Sequence, residues 1–230
     1  MARLMRRRFV ITREEPAGGL AAFIAPTFPR ALRADVEAIA PVISALGWRG
    51  KFGMLSSHTV SVDGEPVSIL HRQYANEPSP EAASALSAQQ QLILSAVYSR
   101  HNDGLVRERH LERLFVDVSW APHLLLSLVS EYVIQIGQRA VAIEDPIPVS
   151  RYASFAAANP TFMAVIRSRV VSYWSVYYDP SPAPRGGRLR SSSHAVPFDE
   201  YPGYRFLAER GLWTGDEGSR LLKRSRRDEG

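Results

Sequence analysis

Four side chains with ligand-binding chemistry occur close together near the middle of the chain. His101, Asp103, Arg107 and His110 place two imidazoles, a carboxylate and a guanidinium around one predicted helix–helix turn. Imidazoles and carboxylates bind metals and transfer protons, and a guanidinium binds anions. These four residues are therefore candidates for an anion, metal or catalytic site. In the structural alternative, Asp103 caps the second helix, Arg107 pairs with it one turn later, and the histidines are partly buried.

A second pair of histidines falls in a predicted β-hairpin. Polar and apolar residues alternate on both sides of Asp63-Gly64, a favoured two-residue turn. In that register His58 and His71 share one face of the hairpin, at a diagonal separation of about 7 Å. Two imidazoles could ligate a metal, but a zinc site needs three or four ligands, and no third is evident nearby. We therefore predict no metal or other cofactor and keep His58 and His71 only as candidate ligands.

One predicted helix carries a line of polar residues. His123, Ser127 and Glu131 are spaced four residues apart and would share one helix face. A catalytic triad needs direct hydrogen bonds between its members and is usually assembled from separate segments. Neighbours on one helical ridge lie about 6 Å apart at Cβ, so a polar stripe is the better interpretation.

The positive charge is concentrated outside the middle of the chain. Residues 1–13 contain five arginines and no acid, and residues 185–190 contain three arginines, whereas residues 14–184 hold 13 basic and 16 acidic side chains. Clustered arginines bind phosphate backbones, although basic tails are also often simply solvated. The candidate nucleic-acid contacts at the two ends are Arg6, Arg7, Arg8, Arg224, Arg226 and Arg227. The expected partner is nucleic acid or an acidic protein.

An aromatic run follows Asn159-Pro160, a helix-start signal. Over residues 161–178 the aromatic and aliphatic side chains fall at helical spacing, with Arg167 and Arg169 towards the flanks. Aromatic rings beside arginines can stack nucleobases. Apolar periodicity alone also explains the run, so core packing is the simpler interpretation.

Residues 180–198 resemble no ordered element, because prolines, glycines, serines and arginines dominate them. Gly186-Gly187 followed by Arg188 and Arg190 would suit a phosphate, but the Gly-Lys-Ser/Thr ending of a phosphate loop is missing. We predict a mobile loop there.

Helices must position the candidate residues. Periodicity predicts helices over residues 31–46, 86–100, 105–114 and 124–138, with Pro41 kinking or restarting the first. The fourth is the most apolar and is the predicted hub. In the hairpin, Val62 should face Glu65, Val60 should face Val67 and His58 should face Ile69, with Pro66 marking an edge strand.

The stretch from Asp103 to Glu108, followed by Leu111 and lying between two amphipathic helices, resembles one unit of a HEAT-type helical repeat. Such repeats stack in copies about 40 residues apart, and the sequence contains no second copy at that period.

The predicted fold is α+β and predominantly helical, with a small β-hairpin portion followed by a bundle of about five to seven helices. The predicted parts are an N-terminal α+β portion (1–76), a helical core (77–179), the mobile loop (180–198), a C-terminal docking segment (199–217) and a basic tail (218–230). The chain has no cysteine, signal peptide or membrane span, so a soluble cytoplasmic protein is expected.

The function expected from these features is binding rather than catalysis, with the arginine-rich ends contacting nucleic acid or another acidic partner. The alternative is an enzyme or a metal- or anion-binding protein that uses the turn between His101 and His110. No catalytic motif is recognisable in the sequence, so no catalytic residue is assigned.

Overall fold

A computed structural model describes residues 10–11, 19–44, 54–180 and 195–213. The chain divides into two compact units between Leu114 and Phe115. The described residues are predominantly helical, with a small antiparallel sheet, which confirms the α+β class.

In its described residues the first unit combines a three-stranded antiparallel sheet with five α-helices. Its strands are β1 (Val10–Ile11), β2 (Met54–Val62) and β3 (Glu65–Arg72), in the order β1-β2-β3. Its helices are α1 (Gly19–Ile24), α2 (Arg33–Ser44), α3 (Pro80–Ser84), α4 (Ala88–Tyr98) and α5 (Gly104–Leu111), which continues as a 3-10 turn over Glu112–Leu114. Two further 3-10 turns, Ala25–Thr27 and Arg30–Leu32, join α1 to α2. Pro41 lies inside α2 without ending it.

Side-chain caps begin the helices that lead to the candidate turn. The Ser79 hydroxyl accepts a hydrogen bond from the Ala82 amide at the start of α3. At α4, Ser87 and Gln90 form a reciprocal capping box, which satisfies two amides that the helix itself leaves unpaired. These caps fix where α4 begins.

The hairpin has the predicted turn and register at its tip. Asp63 and Gly64 both adopt positive φ, as a type I′ turn requires, and Val60 pairs with Val67. Val62 pairs with Glu65, and β3 is an edge strand, as Pro66 indicated. Thr59 pairs with Ser68 and Leu55 pairs with Leu70, with a register shift between them. The predicted register, which set His58 opposite Ile69, is therefore not kept along the whole hairpin.

The second unit is helical. It contains α6 (Ala121–Val129), α7 (Ile134–Ala142), α8 (Val149–Ala158), α9 (Pro160–Tyr177), a 3-10 turn over Phe198–Glu200, and α10 (Pro202–Glu209). Helix α6 contacts the other four helices, and all its residues are buried. The last helix, α10, buries Phe206 and Leu207, and Trp213 after it is also buried.

The predicted single helix over residues 124–138 is wrong. Helix α6 ends at Val129, where the Ser130 hydroxyl donates to the Ser127 carbonyl, and Val133 is extended before α7 begins. The apolar pattern continues across the break because both helices bury side chains. Among the residues that the structure describes, eight α-helices therefore follow the hairpin, where about five to seven were predicted.

That break also separates the polar line. His123 and Ser127 are buried on α6, whereas Glu131 lies beyond the end of the helix. The three residues therefore do not form one solvent-facing stripe. Their spacing of four residues does not place them on one helix face, because Glu131 is not on the same helix as His123 and Ser127.

The division at Leu114 differs from the predicted boundary at residue 77. The segment after β3 packs with α4 and α5 inside the first unit, because hydrogen bonds that are distant in sequence hold it there. Most of the predicted loop and the entire basic tail lie outside the described residues. Within the described part, no helix combines the length and apolar character needed to cross a membrane.

Candidate functional site

The turn between α4 and α5 is fastened to the chain segment that follows β3. Gln73 forms a short parallel bridge with His101, in which the Gln73 amide donates to the Arg100 carbonyl and the Asn102 amide donates to the Gln73 carbonyl, both at 3.0 Å. The next residues therefore run alongside the turn. This arrangement brings Glu77 to α5.

His110 lies at the centre of a three-residue hydrogen-bond chain. Its Nε2 is 2.9 Å from Oε1 of Glu77, and its Nδ1 is 3.2 Å from Oγ of Ser95 on α4. A carboxylate only accepts, so Nε2 of a neutral His110 carries the proton and Nδ1 accepts from the Ser95 hydroxyl. Carboxylate, imidazole and hydroxyl are thereby aligned.

The charges of Glu77 and His110 in this hydrogen-bond chain follow from burial and from the neighbouring Arg109. Burial lowers the pKa of His110, and the hydrogen bond from its ring to Glu77 only partly opposes that effect. Burial raises the pKa of Glu77, but hydrogen bonds from Arg109 and His110 outweigh it and hold that pKa below its usual value. At neutral pH the pair is therefore a carboxylate and a neutral imidazole.

His101 has two backbone partners of its own. Its Nε2 is 3.0 Å from the Ala75 carbonyl, and its Nδ1 accepts from the Asp103 amide at 3.0 Å. Burial lowers the pKa of His101 as well. Both candidate histidines stack on the ring of Tyr98, with centroid distances of 6.2 Å to His101 and 5.2 Å to His110. Tyr98 therefore joins the two imidazoles in one packed cluster.

Asp103 and Arg107 shape the turn itself. Asp103 is the N-cap of α5, since its Oδ1 accepts from the Leu105 amide at 2.9 Å. Arg107 is 1% exposed, and its Nη1 donates to the carbonyls of His101 and Asn102 at 2.7 and 3.0 Å. The Asp103 cap is the one that the structural alternative expected, whereas Arg107 donates to backbone carbonyls of the turn where a pair with Asp103 was expected.

The structure thus brings His101 and His110 to one cluster and places Asp103 and Arg107 beside it. Ser95 is 2% exposed, so its hydroxyl is closed to a substrate in this conformation. Across the described ranges, no group of three His, Cys, Asp or Glu side chains has the geometry to hold a metal. The side chains of His58 and His71 lie outside what the structure describes, so their candidacy as ligands stays a prediction.

Sequence reasoning did not identify Glu77 or Ser95 as partners of His110. In the sequence, Glu77 stands next to Pro78, and Ser95 is one small polar residue in a predicted helix. Their proximity depends on the Gln73 bridge, and no local spacing encodes that contact.

A cluster of four tyrosines lies in the second unit. Tyr132 precedes α7, and Tyr173, Tyr177 and Tyr178 come from the end of α9; we call these four the tyrosine cluster. The Tyr132 ring is 5.9 Å from the rings of both Tyr173 and Tyr177, and the Tyr178 hydroxyl donates to the Tyr132 carbonyl at 2.6 Å. Tyr132 and Tyr177 are 46% and 52% exposed. Two rings of the cluster therefore face solvent.

The described part of the chain stops at Pro180 and resumes at Ala195, and both positions are close to this cluster. The Val196 amide donates to the Tyr178 carbonyl at 2.9 Å, and Nε1 of Trp174 donates to the Val196 carbonyl at 2.7 Å. Asp179-Pro180 and Ala195-Val196 are thus held at the end of α9. The intervening sequence contains Arg185, Arg188 and Arg190.

A cleft of about 540 Å³ lies between α7 and the start of α10. Aliphatic side chains of α7 and Pro202 line it, with Gln138, Glu200 and Arg205 as its polar groups. None of the candidate residues taken from the sequence lines this cleft.

The six candidate nucleic-acid contacts, Arg6, Arg7, Arg8, Arg224, Arg226 and Arg227, lie outside the described residues. Comparison with known proteins gives the chain no relative: no family model, no curated protein and no solved structure matches it.

Proposed function

We propose that this protein binds nucleic acid and that its arginine-rich segments contact the phosphate backbone. The observation that carries the proposal is the segregation of charge along the chain. Thirteen basic and 16 acidic residues occupy positions 14–184, while the net charge of the whole chain is +5. The excess positive charge therefore lies in residues 1–13, 185–190 and 218–230.

Arginine suits this role because its planar guanidinium pairs with two phosphate oxygens at once. Binding of this kind releases counterions, so its affinity falls steeply with salt. An acidic protein surface presents a similar charge, but it lacks the regular phosphate spacing that gives a defined salt dependence.

The described arginines support placing the contact in these segments. Arg107 and Arg210 are buried, and Arg109 and Arg151 form ion pairs with Glu77 and Asp117. These four guanidiniums are therefore already committed to the fold. The arginines at the chain ends are therefore better candidates for phosphate contacts than these four.

The test is fluorescence anisotropy with a labelled oligonucleotide across a salt series. The first variant of the full chain replaces Arg6, Arg7, Arg8, Arg224, Arg226 and Arg227 with serine. We expect weaker binding and a shallower dependence of log affinity on log salt, since each lost phosphate contact removes about 0.9 from the slope.

The matched control replaces the exposed arginines Arg33, Arg113 and Arg205 with serine. It lowers the net charge without touching the ends, so it should retain most of the slope. Equal binding by wild type and the six-arginine variant would contradict the proposal, as would no binding by wild type at low salt.

The hydrogen-bond chain in the first unit favours a second candidate, nucleophilic catalysis at Ser95. His110 would take the proton of the Ser95 hydroxyl, and Glu77 would stabilise the resulting imidazolium. The structure around Ser95 would have to open before a substrate could reach its hydroxyl, because Ser95 is only 2% exposed. A fluorophosphonate probe tests this candidate: labelling of Ser95 that disappears in His110→Ala supports it, and an unlabelled wild type discards it.

A further inference from the structure

His101 is held between two backbone groups that together fix its protonation state. Its Nε2 lies 3.0 Å from the Ala75 carbonyl oxygen, and its Nδ1 accepts a hydrogen bond from the Asp103 amide at 3.0 Å. A carbonyl oxygen only accepts, so Nε2 carries a proton, and an amide only donates, so Nδ1 carries none. The fold therefore selects the neutral Nε2–H tautomer of His101.

A second proton on His101 does not fit this arrangement. An imidazolium donates from both ring nitrogens, so its Nδ1–H would point at the N–H of Asp103. The backbone partner cannot change its role, because a peptide N–H is a fixed donor. Protonation must therefore break the contact between the His101 ring and the Asp103 amide.

His110 differs from His101 in the kind of partner that its ring meets. Its Nδ1 is 3.2 Å from the Ser95 hydroxyl oxygen, and a hydroxyl can rotate to accept when the ring is charged. Its Nε2 is 2.9 Å from the carboxylate of Glu77, which stabilises an imidazolium. The same hydrogen-bond partners can therefore hold a protonated His110 in place, whereas those of His101 cannot hold a protonated His101.

His101 lies where two parts of the first unit are joined. We call residues 73–77 the connecting segment; it follows β3 and runs beside the turn between α4 and α5. Gln73 joins this segment to the turn through two backbone hydrogen bonds, and the Tyr98 hydroxyl of α4 donates to a carbonyl of the segment. The ring of His101 adds a third connection, because it bonds to Ala75 in the segment and to the first residue of the cap of α5.

The surroundings of the ring determine its charge. Burial lowers the pKa of His101, and the nearby carboxylates of Asp103 and Glu77 only partly oppose that effect. A released ring regains its ordinary pKa, so release becomes more favourable as the pH falls below 6.5. The packed helices also bring up Tyr98, which stacks on the ring, Arg107, which donates to the His101 carbonyl, Arg109, which pairs with Glu77, and His110, which stacks on Tyr98.

We propose that His101 is a pH-sensitive latch, in which a proton from solvent releases the α4–α5 turn from the connecting segment while the rest of the first unit stays folded. This inference goes beyond the proposed function, because no nucleic acid takes part in it. The latch is closed at neutral pH and opens in mild acid. Its release would uncover Tyr98, whose side chain is fully buried in the closed state.

Hydrogen exchange of the full chain tests the latch. Exchange is followed at the amides of Gln73, Asn102 and Asp103, which all donate hydrogen bonds across the latch. The rates are measured between about pH 7.5 and about pH 5 and are converted to protection factors with the intrinsic rate at each pH. The paired strands at the hairpin tip, in the same unit, are the internal reference.

Two variants separate the histidines. His101→Asn is the test variant, because its side-chain oxygen can accept from the Asp103 amide but does not titrate. His110→Asn is the matched control, because it removes the other imidazole that stacks on Tyr98.

We expect the protection of the three wild-type amides to fall several-fold across this range. The fall should not exceed about tenfold for each pH unit, which is the limit for release coupled to one proton. The strands at the hairpin tip should keep their protection. The fall should be absent in His101→Asn and retained in His110→Asn.

A fall of equal size in His101→Asn overturns the latch. Loss of protection in the hairpin strands at the same pH also overturns it, because the unit would then unfold as a whole. Nuclear magnetic resonance of the ring nitrogens of wild-type His101 gives a second test that does not depend on a folded variant. Uptake of the second proton at the pH where protection is lost supports the latch, and uptake while the Asp103 amide stays protected overturns it.

Discussion

Asp145 receives two hydrogen bonds from the guanidinium of Arg210 on a single oxygen, Oδ2, at 2.9 Å from Nε and 2.6 Å from Nη2. The same oxygen accepts from the Tyr152 hydroxyl at 2.8 Å, while Oδ1 accepts from the Ile147 amide at 3.0 Å. Arg210 also covers the ring of Phe206 at 3.5 Å. This nearly buried pair ties the loop before α8 to the end of α10.

Replacing Asp145 with alanine is predicted to destabilise the second unit by about 3–5 kcal/mol, because the nearly buried Arg210 would lose both hydrogen bonds to the Asp145 carboxylate and be left with the longer pair to Glu209 at 3.9 Å. Urea denaturation provides the measurement. The control is Arg151→Ala, which removes a partly exposed pair with Asp117 and should cost about 0–1 kcal/mol. Similar losses in the two variants would show that the Asp145 pair is not energetically distinct.

Arg107 is predicted to matter far more for stability than its neighbour Arg109. Arg107→Ala should cost about 2–4 kcal/mol, because it removes a buried side chain together with its hydrogen bonds to the carbonyls of His101 and Asn102. Arg109→Ala removes a partly exposed ion pair with Glu77 and should cost about 0–1 kcal/mol. The unfolding midpoints of the two variants in urea give the comparison. A small effect of Arg107→Ala would mean that water replaces its hydrogen bonds.

The first unit is predicted to lose stability in mild acid. Burial lowers the pKa of His101 and of His110 below 6.5, so the unfolded chain binds protons more readily than the folded chain. Stability therefore rises with pH in this range. The contribution is complete above 6.5 and is lost as the pH falls through the folded pKa values.

Urea midpoints measured between about pH 8 and about pH 5 test this, with hydrogen exchange of α4 and α5 amides as a local readout. His110→Asn should flatten the pH dependence, and a double change with His101→Asn should flatten it further. Glu77 acts in the same direction, but its lowered pKa places its contribution below 4.5, outside this window. An unchanged profile in the double variant would contradict the assignment to these histidines.

Gly203 is predicted to resist replacement by alanine although it lies inside α10. Alanine normally stabilises a helix interior by about 1 kcal/mol relative to glycine. Here a Cβ would stand 2.7 Å from the Val129 carbonyl oxygen and 3.1 Å from the Tyr201 ring, so α10 would have to move away from the end of α6. Gly203→Ala should therefore destabilise by about 1–3 kcal/mol.

Thermal unfolding measures that change, and Arg205→Ala on the exposed side of the same helix is the control, with an expected effect within about 0.5 kcal/mol. Stabilisation by Gly203→Ala would mean that the helices separate at little cost.

Local sequence signals predicted the elements well. The Asp63-Gly64 turn set the hairpin tip, Pro160 marked the start of α9, and apolar periodicity located α4 and α5. These features succeed because the responsible interactions span only a few residues.

Local sequence signals failed where contacts between residues that are distant in sequence determine the structure. The break after Val129 is invisible in a pattern that stays apolar on both sides, and Asn159 bonds to the Phe155 carbonyl instead of capping α9 with its side chain. The chain from Glu77 through His110 to Ser95 needs the bridge at Gln73, which forms only when the first unit is folded. For the same reason, neither Glu77 nor Ser95 could be chosen from sequence.

The hydrogen bond between Val196 and Tyr178 holds together the two ends of the intervening sequence. We therefore expect the length of that sequence to have little effect on the helices on either side of it. Described residues join its two ends, so an insertion between them would not by itself separate the end of α9 from the 3-10 turn before α10. An epitope or a fluorescent domain inserted there should leave α9 and α10 in place. This position is therefore a suitable site for inserting a tag.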